Sequence, residues 1–353
     1  MTFALQQALL NPAAVPGLSN DEMHNLVAQA RSSRLLASLA VELEKAGAMQ
    51  QIPYEARRHF ESALLVHTKQ RRDLTYDAEL VRQALATVDT PLILLKGAAY
   101  MLADLSVGRG RLITDIDILV RRDALDSAEQ ALQQHEWQSH TISDYDASYY
   151  RRWSHEIPAL YHPRRDTTLD VHHTILPPTA APKINAQLLF EELQEVLPGI
   201  YTLCHRDMVI HSATHLFQEG EFHHGLRDVW DLDRMLRDFP HRDKDFWDTL
   251  VDRARELDLV TSLWHGLNYA QKIFATPIPA NVMRNASSPM RKLRQPLMDF
   301  LYLRAFRPNH PDCRLALTGP ALYMLFVRSH YLRMPLYLLL PHLVRKAWMR
   351  KSQ

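Results

Sequence analysis

The chain is poor in cysteine, carries almost no net charge and has no long uninterrupted apolar run. Only Cys204 and Cys313 occur, far apart in the sequence. They form neither a zinc spacing nor a disulfide framework, so a reducing compartment, the cytoplasm, is expected. The 41 basic and 40 acidic side chains leave a formal charge of +1. No overall field therefore draws in nucleic acid or an anionic membrane, and any basic site must be local. No segment has the apolar length needed to cross a bilayer. The stretch Met1 to Ala8 lacks the basic start and apolar core of a secretory signal, so none is expected there. Internal repeats and low-complexity segments are missing as well. What is present is an apolar fraction of 46% over 353 residues, enough for two or three packed units.

Apolar positions such as Leu26, Ala30, Leu35, Leu36 and Leu39 recur at helical spacing between about Asn20 and Ala86. Pro53 suits the first turn of a helix over Tyr54 to Val66, and Leu74 to Leu85 continues in the same style. The pattern then changes. Pro91 to Leu95 is a short apolar run ending at Lys96-Gly97, as in a buried strand followed by a tight turn into a helix over Ala98 to Leu105. Ser106 to Arg111 reads as a mobile loop leading into a strand from Leu112 to Val120, and Asp123 is placed to cap a following helix. Glu156 to His162 and Thr167 to Ile175 read as a hairpin turning at Pro163 to Asp166. From about Ile184 the pattern is helical again, with helices over Arg206 to Phe217, Gly225 to Asp238, Phe246 to Leu257 and Val260 to Phe274. The fold class expected is α+β. A small mixed-sheet core at 88–178 lies between an N-terminal helical region, 1–87, and a larger C-terminal helical domain, 179–353.

The chemistry concentrates in Thr114-Asp115-Ile116-Asp117-Ile118. Two carboxylates two residues apart on a strand share a face. Holding them together is costly without a cation, and hard oxygen ligands favour Mg²⁺ or Mn²⁺. Thr168, Asp170 and His172 share one face of the later strand, so Asp170 is expected to meet Asp115 and Asp117 across the sheet. Gly97, without a side chain, would let backbone N–H groups approach a phosphate. Lys96, Arg109 and Arg111 would add charge-assisted contacts to a triphosphate. Metal ions shared by the carboxylates would clamp that triphosphate, activate an attacking oxygen and neutralise the leaving pyrophosphate. The plainer readings are that Asp115 caps a loop, that Asp117 pairs with Arg111 or Arg121, that the basic side chains are ordinary solvated charges, and that His172 is a hydrogen-bonded core residue.

Three motifs carry a resemblance. Leu95-Lys96-Gly97, the run from Arg111 through Asp115 and Asp117 to Val120, and Asp170-Val171-His172 resemble those of a bacterial nucleotidyltransferase-like family within the DNA polymerase β-like nucleotidyltransferase superfamily. The likeness covers about residues 88 to 176 and extends more weakly to His211–Leu216 and Leu226–Val229. It implies a nucleotidyltransferase core, with Asp115 and Asp117 binding catalytic metals. It further implies that Asp170 is the third carboxylate and activates the acceptor hydroxyl, and that Gly97 marks the phosphate turn. The acceptor, whether protein, nucleic acid or small molecule, does not follow from it. One departure stands out: the superfamily's glycine–serine pair is Gly97-Ala98 here, without the hydroxyl.

That departure supports an alternative, a non-catalytic nucleotide sensor or scaffold on the same fold. A third reading is a metal-dependent phosphohydrolase using His211 and His215, four apart on a helix, with Asp228 and the nearby His223 and His224. Arg227 and Asp228 could instead support the nucleotide pocket. The basic, apolar stretch Leu322 to Trp348 fits either peripheral membrane contact or the closing helices of a bundle. Pro335 and Pro341 break it into short pieces and favour packing.

Overall fold

The computed structural model of the chain describes residues 3–139, 150–165, 167–218 and 220–339. Its centre is a seven-stranded mixed sheet in the order β3-β4-β5-β2-β1-β7-β6. The strands are β1, Leu92–Leu94; β2, Ile116–Leu119; β3, Gln138–Ser139; β4, Leu160–Tyr161; β5, Thr168–His172; β6, Leu193–Leu197; and β7, Ile200–Leu203. The two central strands, β1 and β2, are buried along their whole length, which is why they read as unbroken apolar runs rather than alternations. They pair antiparallel, while β2 runs parallel to β5 and β1 parallel to β7.

Strand β2 starts four residues later than its apolar run suggests. Upstream, the Gln70 side chain donates to the Ile113 carbonyl (2.9 Å) and accepts from the Ile113 N–H (3.1 Å), satisfying the backbone groups a longer ladder would use. Asp115 therefore precedes the strand. The expected hairpin forms, with Leu160 opposite Leu169 and Tyr161 opposite Thr168, though both strands are shorter than read; Asp166, in its turn, lies outside the described residues. Glu156 joins through a single bridge to His172.

The stretch after Ile184 is not wholly helical. Leu193–Leu197 forms β6, Pro198-Gly199 makes the turn with Gly199 at φ +73°, and β7 returns to extend the sheet beside β1. A bulge between Glu195 and Leu197 interrupts the outer ladder. Asp123 does not cap a helix: it lies in a 3₁₀ turn, Arg122–Ala124, that runs into a helix over Leu125–Gln134.

Four helices precede the sheet: α1, Ala4–Leu10; α2, Asn20–Ser32; α3, Leu36–Lys45; and α4, Tyr54–Ala84. A reciprocal Ser19–Glu22 capping box starts α2. Helix α4 is one 31-residue element rather than two, with Pro53 just ahead of its first turn. Lys96–Leu102 (α5) follows β1 and Leu125–Gln134 (α6) follows β2. The C-terminal layer comprises α7, His205–Gln218; α8, Gly225–Arg242; α9, Phe246–Glu256; α10, Val260–Phe274; α11, Ala280–Ala286; α12, Pro289–Ala305; and α13, Thr318–Arg333. One hydrophobic cluster runs from Leu5 through the sheet to Leu325. Helices α7 and α10 approach closely at Gly266, where a Cβ would lie 2.9 Å from that of Ala213. Beside them Phe217, Tyr269, Tyr302 and Phe306 stack edge-on and face-on. Helix α13 buries Ala321, Leu325 and Ser329, and the part of the basic amphipathic stretch beyond Leu339 lies outside the described residues. Among the described residues no helix is long and apolar enough to cross a membrane.

Candidate active site

Parallel pairing of β2 with β5 sets Asp117 directly opposite Asp170. Their side chains leave the same face of the sheet, as the alternation along β5 requires. Asp115 sits at the entrance to β2, partly exposed, and accepts from the Thr114 hydroxyl at 3.3 Å. Burial, then Asp117, Glu156 and Asp115, push the Asp170 carboxyl up to about 7. The three carboxylates thus lie within electrostatic range of Asp170, with unequal compensation.

Lys96 supplies the cation nearest to them. It takes a left-handed backbone conformation, φ +49°, at the end of β1, which costs about 1 kcal/mol in a residue with a Cβ. Its Nζ donates to Asp117 Oδ1 at 2.7 Å, and His172 Nε2 approaches the same oxygen at 3.0 Å. Burial alone would raise the Asp117 carboxyl, but the Lys96 ammonium and the His172 ring outweigh it and hold it far below the usual carboxylate range. Burial works against the Lys96 charge too, yet Asp117, with Asp115 and Glu156, lifts its pKa. Lys96 is therefore an ion-pair partner of a sheet carboxylate rather than a free side chain on the turn.

Gly97 is buried, and a Cβ there would lie 2.6 Å from Ile113 Cγ2, so close packing against the approach to Asp115 requires glycine. The loop expected to be mobile is pinned. Gly110, at φ +76°, lies where a Cβ would meet the Ala37 backbone at 2.6 Å, and its carbonyl accepts from Ser38 Oγ at 3.2 Å. Arg111 is buried and donates from Nε to Asp231 Oδ2 on α8 at 2.8 Å, fastening the loop to the C-terminal helices. Arg109 is exposed beside it. Of the predicted residues, the fold puts Lys96 on Asp117, Asp117 opposite Asp170 and Asp115 within electrostatic range of Lys96 and Asp170; among the described residues the three aspartates do not close into a three-ligand group, and Gly97 and Arg111 lie beside them.

His211 and His215 lie on α7 behind Lys96. Burial, then Lys96 and His172, push His211 down to about 3, and burial with Lys96 takes His215 well below its ordinary value. Asp228 instead pairs with Arg227 at 2.7 Å. Among the described residues, His211, His215 and Asp228 do not converge as a three-ligand group.

Two neighbours escaped sequence reasoning. Arg34, at φ +54° between α2 and α3, lies within electrostatic range of Asp115, Asp228, Arg111 and Arg227. Nothing in the apolar periodicity marks a turn residue of this kind. Glu156 meets the ring of His172, with Oε2 at 3.4 Å from Nδ1. It meets His172 through an isolated bridge one residue out of the hairpin register, which the sequence does not mark. A cavity of about 580 Å³, lined by Thr114, Asp115, Gln70, Tyr76 and Arg165, opens beside the carboxylates, and Asp115 is the one aspartate of the three on its wall.

Adjacent parallel strands carry opposed aspartates beside a lysine-glycine turn that follows the neighbouring strand. The chain belongs to an uncharacterised nucleotidyltransferase family, which matches residues 19–275. That match takes in the N-terminal helices α2 to α4 as well as the sheet. No curated protein and no solved structure matches the chain.

Proposed function

We propose that the chain transfers a nucleoside monophosphate from a nucleoside triphosphate to a hydroxyl acceptor, with Mg²⁺ or Mn²⁺ held by Asp115, Asp117 and Asp170. The observation that carries this reading is the register of Asp117 opposite Asp170, with Asp115 just ahead of the strand. Carboxylate oxygens are the donors that hard divalent cations take. The ion supplies Lewis-acid stabilisation of the triphosphate and of the leaving pyrophosphate. The acceptor oxygen attacks the α-phosphorus, and the bond from that phosphorus to the β-bridging oxygen breaks. The hydroxyl proton passes to Asp170, whose carboxyl lies opposite Asp117 within the site. The cavity beside Asp115 has the size of a small-molecule site, and on its wall the Arg165 guanidinium lies over the Tyr76 ring, 5.1 Å from its centroid.

A second reading, a nucleotide sensor without transfer, draws on two features. Lys96 already neutralises Asp117, and Ala98 brings no hydroxyl to the turn.

Calorimetry with each nucleoside triphosphate and Mg²⁺ tests the site. Asp115→Asn and Asp170→Asn should each weaken binding more than about tenfold, and equal binding by native and variant chains would sink the metal-site assignment. Incubation with cell extract and triphosphate labelled at the α-phosphate then separates the two readings. Label transferred to an acceptor with pyrophosphate released supports transfer; tight binding with no transfer across metals and extracts supports the sensor.

A further inference from the structure

His172 has a carboxylate at each ring nitrogen. Its Nε2 faces Asp117 Oδ1 at 3.0 Å and its Nδ1 faces Glu156 Oε2 at 3.4 Å, while the ring is 3% exposed. A neutral imidazole carries one N–H and one lone pair. In the tautomer that donates Nε2–H to Asp117, Nδ1 keeps the lone pair through which a histidine ligates a metal, on the side where Glu156 stands. The cation for Asp117 is already present in Lys96.

His155 completes that side. Its Nε2 lies 3.8 Å from the same Glu156 oxygen, and its ring centroid is 5.3 Å from that of His172. One ligand atom from each of His155, Glu156 and His172 falls within 4.8 Å of the others. Zinc bonds of about 2.0–2.2 Å at tetrahedral angles put ligand atoms roughly 3.4 Å apart. The Glu156 oxygen, 3.4 Å from His172 Nδ1 and 3.8 Å from His155 Nε2, is already close to that spacing. Backbone pairing holds the three in place: Glu156 bridges His172, the Ile157 N–H donates to the Val171 carbonyl at 3.1 Å, and the His173 N–H donates to the His155 carbonyl at 2.9 Å.

We propose that His155, Glu156 and His172 form a second metal site, for a transition-metal ion of the zinc class, with its fourth position open. Two imidazoles and one carboxylate suit zinc and its neighbours rather than magnesium, which favours oxygen alone. His155 and Glu156 are 23% and 28% exposed, so an ion reaches them from solvent. Burial, then His172 and Lys96, keep the His155 ring neutral, the form that ligates. With Nδ1 on the ion, His172 is locked in the tautomer that donates to Asp117, as metal-bound histidines commonly donate their second N–H to a carboxylate. The ion would then position Asp117 through His172 without touching substrate. This site is independent of the nucleotidyl-transfer reading.

Co²⁺ titrated into the metal-stripped full chain is the test. Four-coordinate Co²⁺ with nitrogen ligands absorbs visible light strongly, whereas six-coordinate Co²⁺ among oxygens absorbs weakly. The native chain and an Asp115→Asn/Asp170→Asn double variant should both give the strong band at one ion per chain, displaced by Zn²⁺. His155→Ala and Glu156→Gln should each lose the band and more than about tenfold in Co²⁺ affinity, with unchanged far-UV circular dichroism. Should His155→Ala fail to fold, Glu156→Gln, nearly isosteric, decides alone. A native chain without the strong band overturns the proposal, as does a band that vanishes in the aspartate double variant and survives in Glu156→Gln. Calorimetric Mg²⁺ binding, measured on the same variants, reports separately on the aspartate site.

Discussion

Replacing Lys96 with methionine would leave the Asp117 carboxylate buried beside His172 without its ammonium partner. Breaking one side of a buried pair costs about 3 kcal/mol when the lost charge was partly exposed, as the Lys96 side chain is at 24%. Lys96→Met should therefore unfold at lower urea, and saturating Mg²⁺ should recover part of the loss, because an ion on the native aspartates stabilises only the folded state. Denaturation with and without Mg²⁺ checks both; no recovery would count against Asp117 as a ligand. At this scale the sequence made the carboxylates legible, because strand alternation alone puts Asp170 and Asp117 on one face. It did not reveal the partner of Lys96, since the left-handed turn that swings its side chain back onto Asp117 has no signature in a non-glycine residue. Arg111 was hidden for a related reason: a buried arginine shows its role only with the carboxylate it meets, and Asp231 lies 120 positions away.

Among the elements, two glycines with positive φ separate strain from crowding. Gly199 turns the β6–β7 hairpin at φ +73° with only the flexible Arg82 side chain near, at 3.3 Å. Gly110 has φ +76° and the Ala37 backbone 2.6 Å from where a Cβ would be. Gly199→Ala should cost about 1 kcal/mol, from the unfavourable backbone conformation alone. Gly110→Ala should cost more than about 2 kcal/mol, because α3 must also move away from the loop. Urea titration of the two variants gives the comparison, and equal losses would mean that α3 does not hold the loop. The helices after His205 were legible because their apolar faces repeat over several turns. The β6–β7 hairpin was not, since a five-residue strand with half-buried faces carries too short an alternation to override the helical run around it. The length of β2 was hidden because the competitor for its backbone groups, Gln70, belongs to a distant helix.

In the molecule as a whole, buried neutral histidines set the response to acid. Burial pushes His211 and His265 down to about 3, and His173 and His224 to about 4, from an ordinary value of 6.5. Through these groups the unfolded chain binds more protons than the native one between about pH 4 and 6.5, so this contribution to stability is full above 6.5 and falls as pH drops towards 4. Asp170, with its raised carboxyl, acts in the opposite sense but is one group against several. At pH 5 each of His211 and His265 costs about 2 kcal/mol. Thermal unfolding followed from pH 7 to 4.5 should show a steep decline, and His265→Phe, set among Phe217, Tyr269 and Tyr302 away from the aspartates, should flatten it by about one proton's worth. An unchanged slope would show that His265 stays protonated on burial. The α+β class was legible from the change of periodicity at Pro91. The continuity of the core was not: one apolar cluster joins the N-terminal helices, the sheet and the C-terminal layer, and the seam between them is made of contacts such as Gly110 on Ala37 that leave no mark in composition. The irregularity between Glu195 and Leu197 has a consequence of another kind. It lies on the outermost strand, where a straight ladder would offer its open N–H and C=O groups to a neighbouring molecule; the bulge and the Glu195 charge spoil that template, so crowded chains are kept from adding strand to strand at this edge.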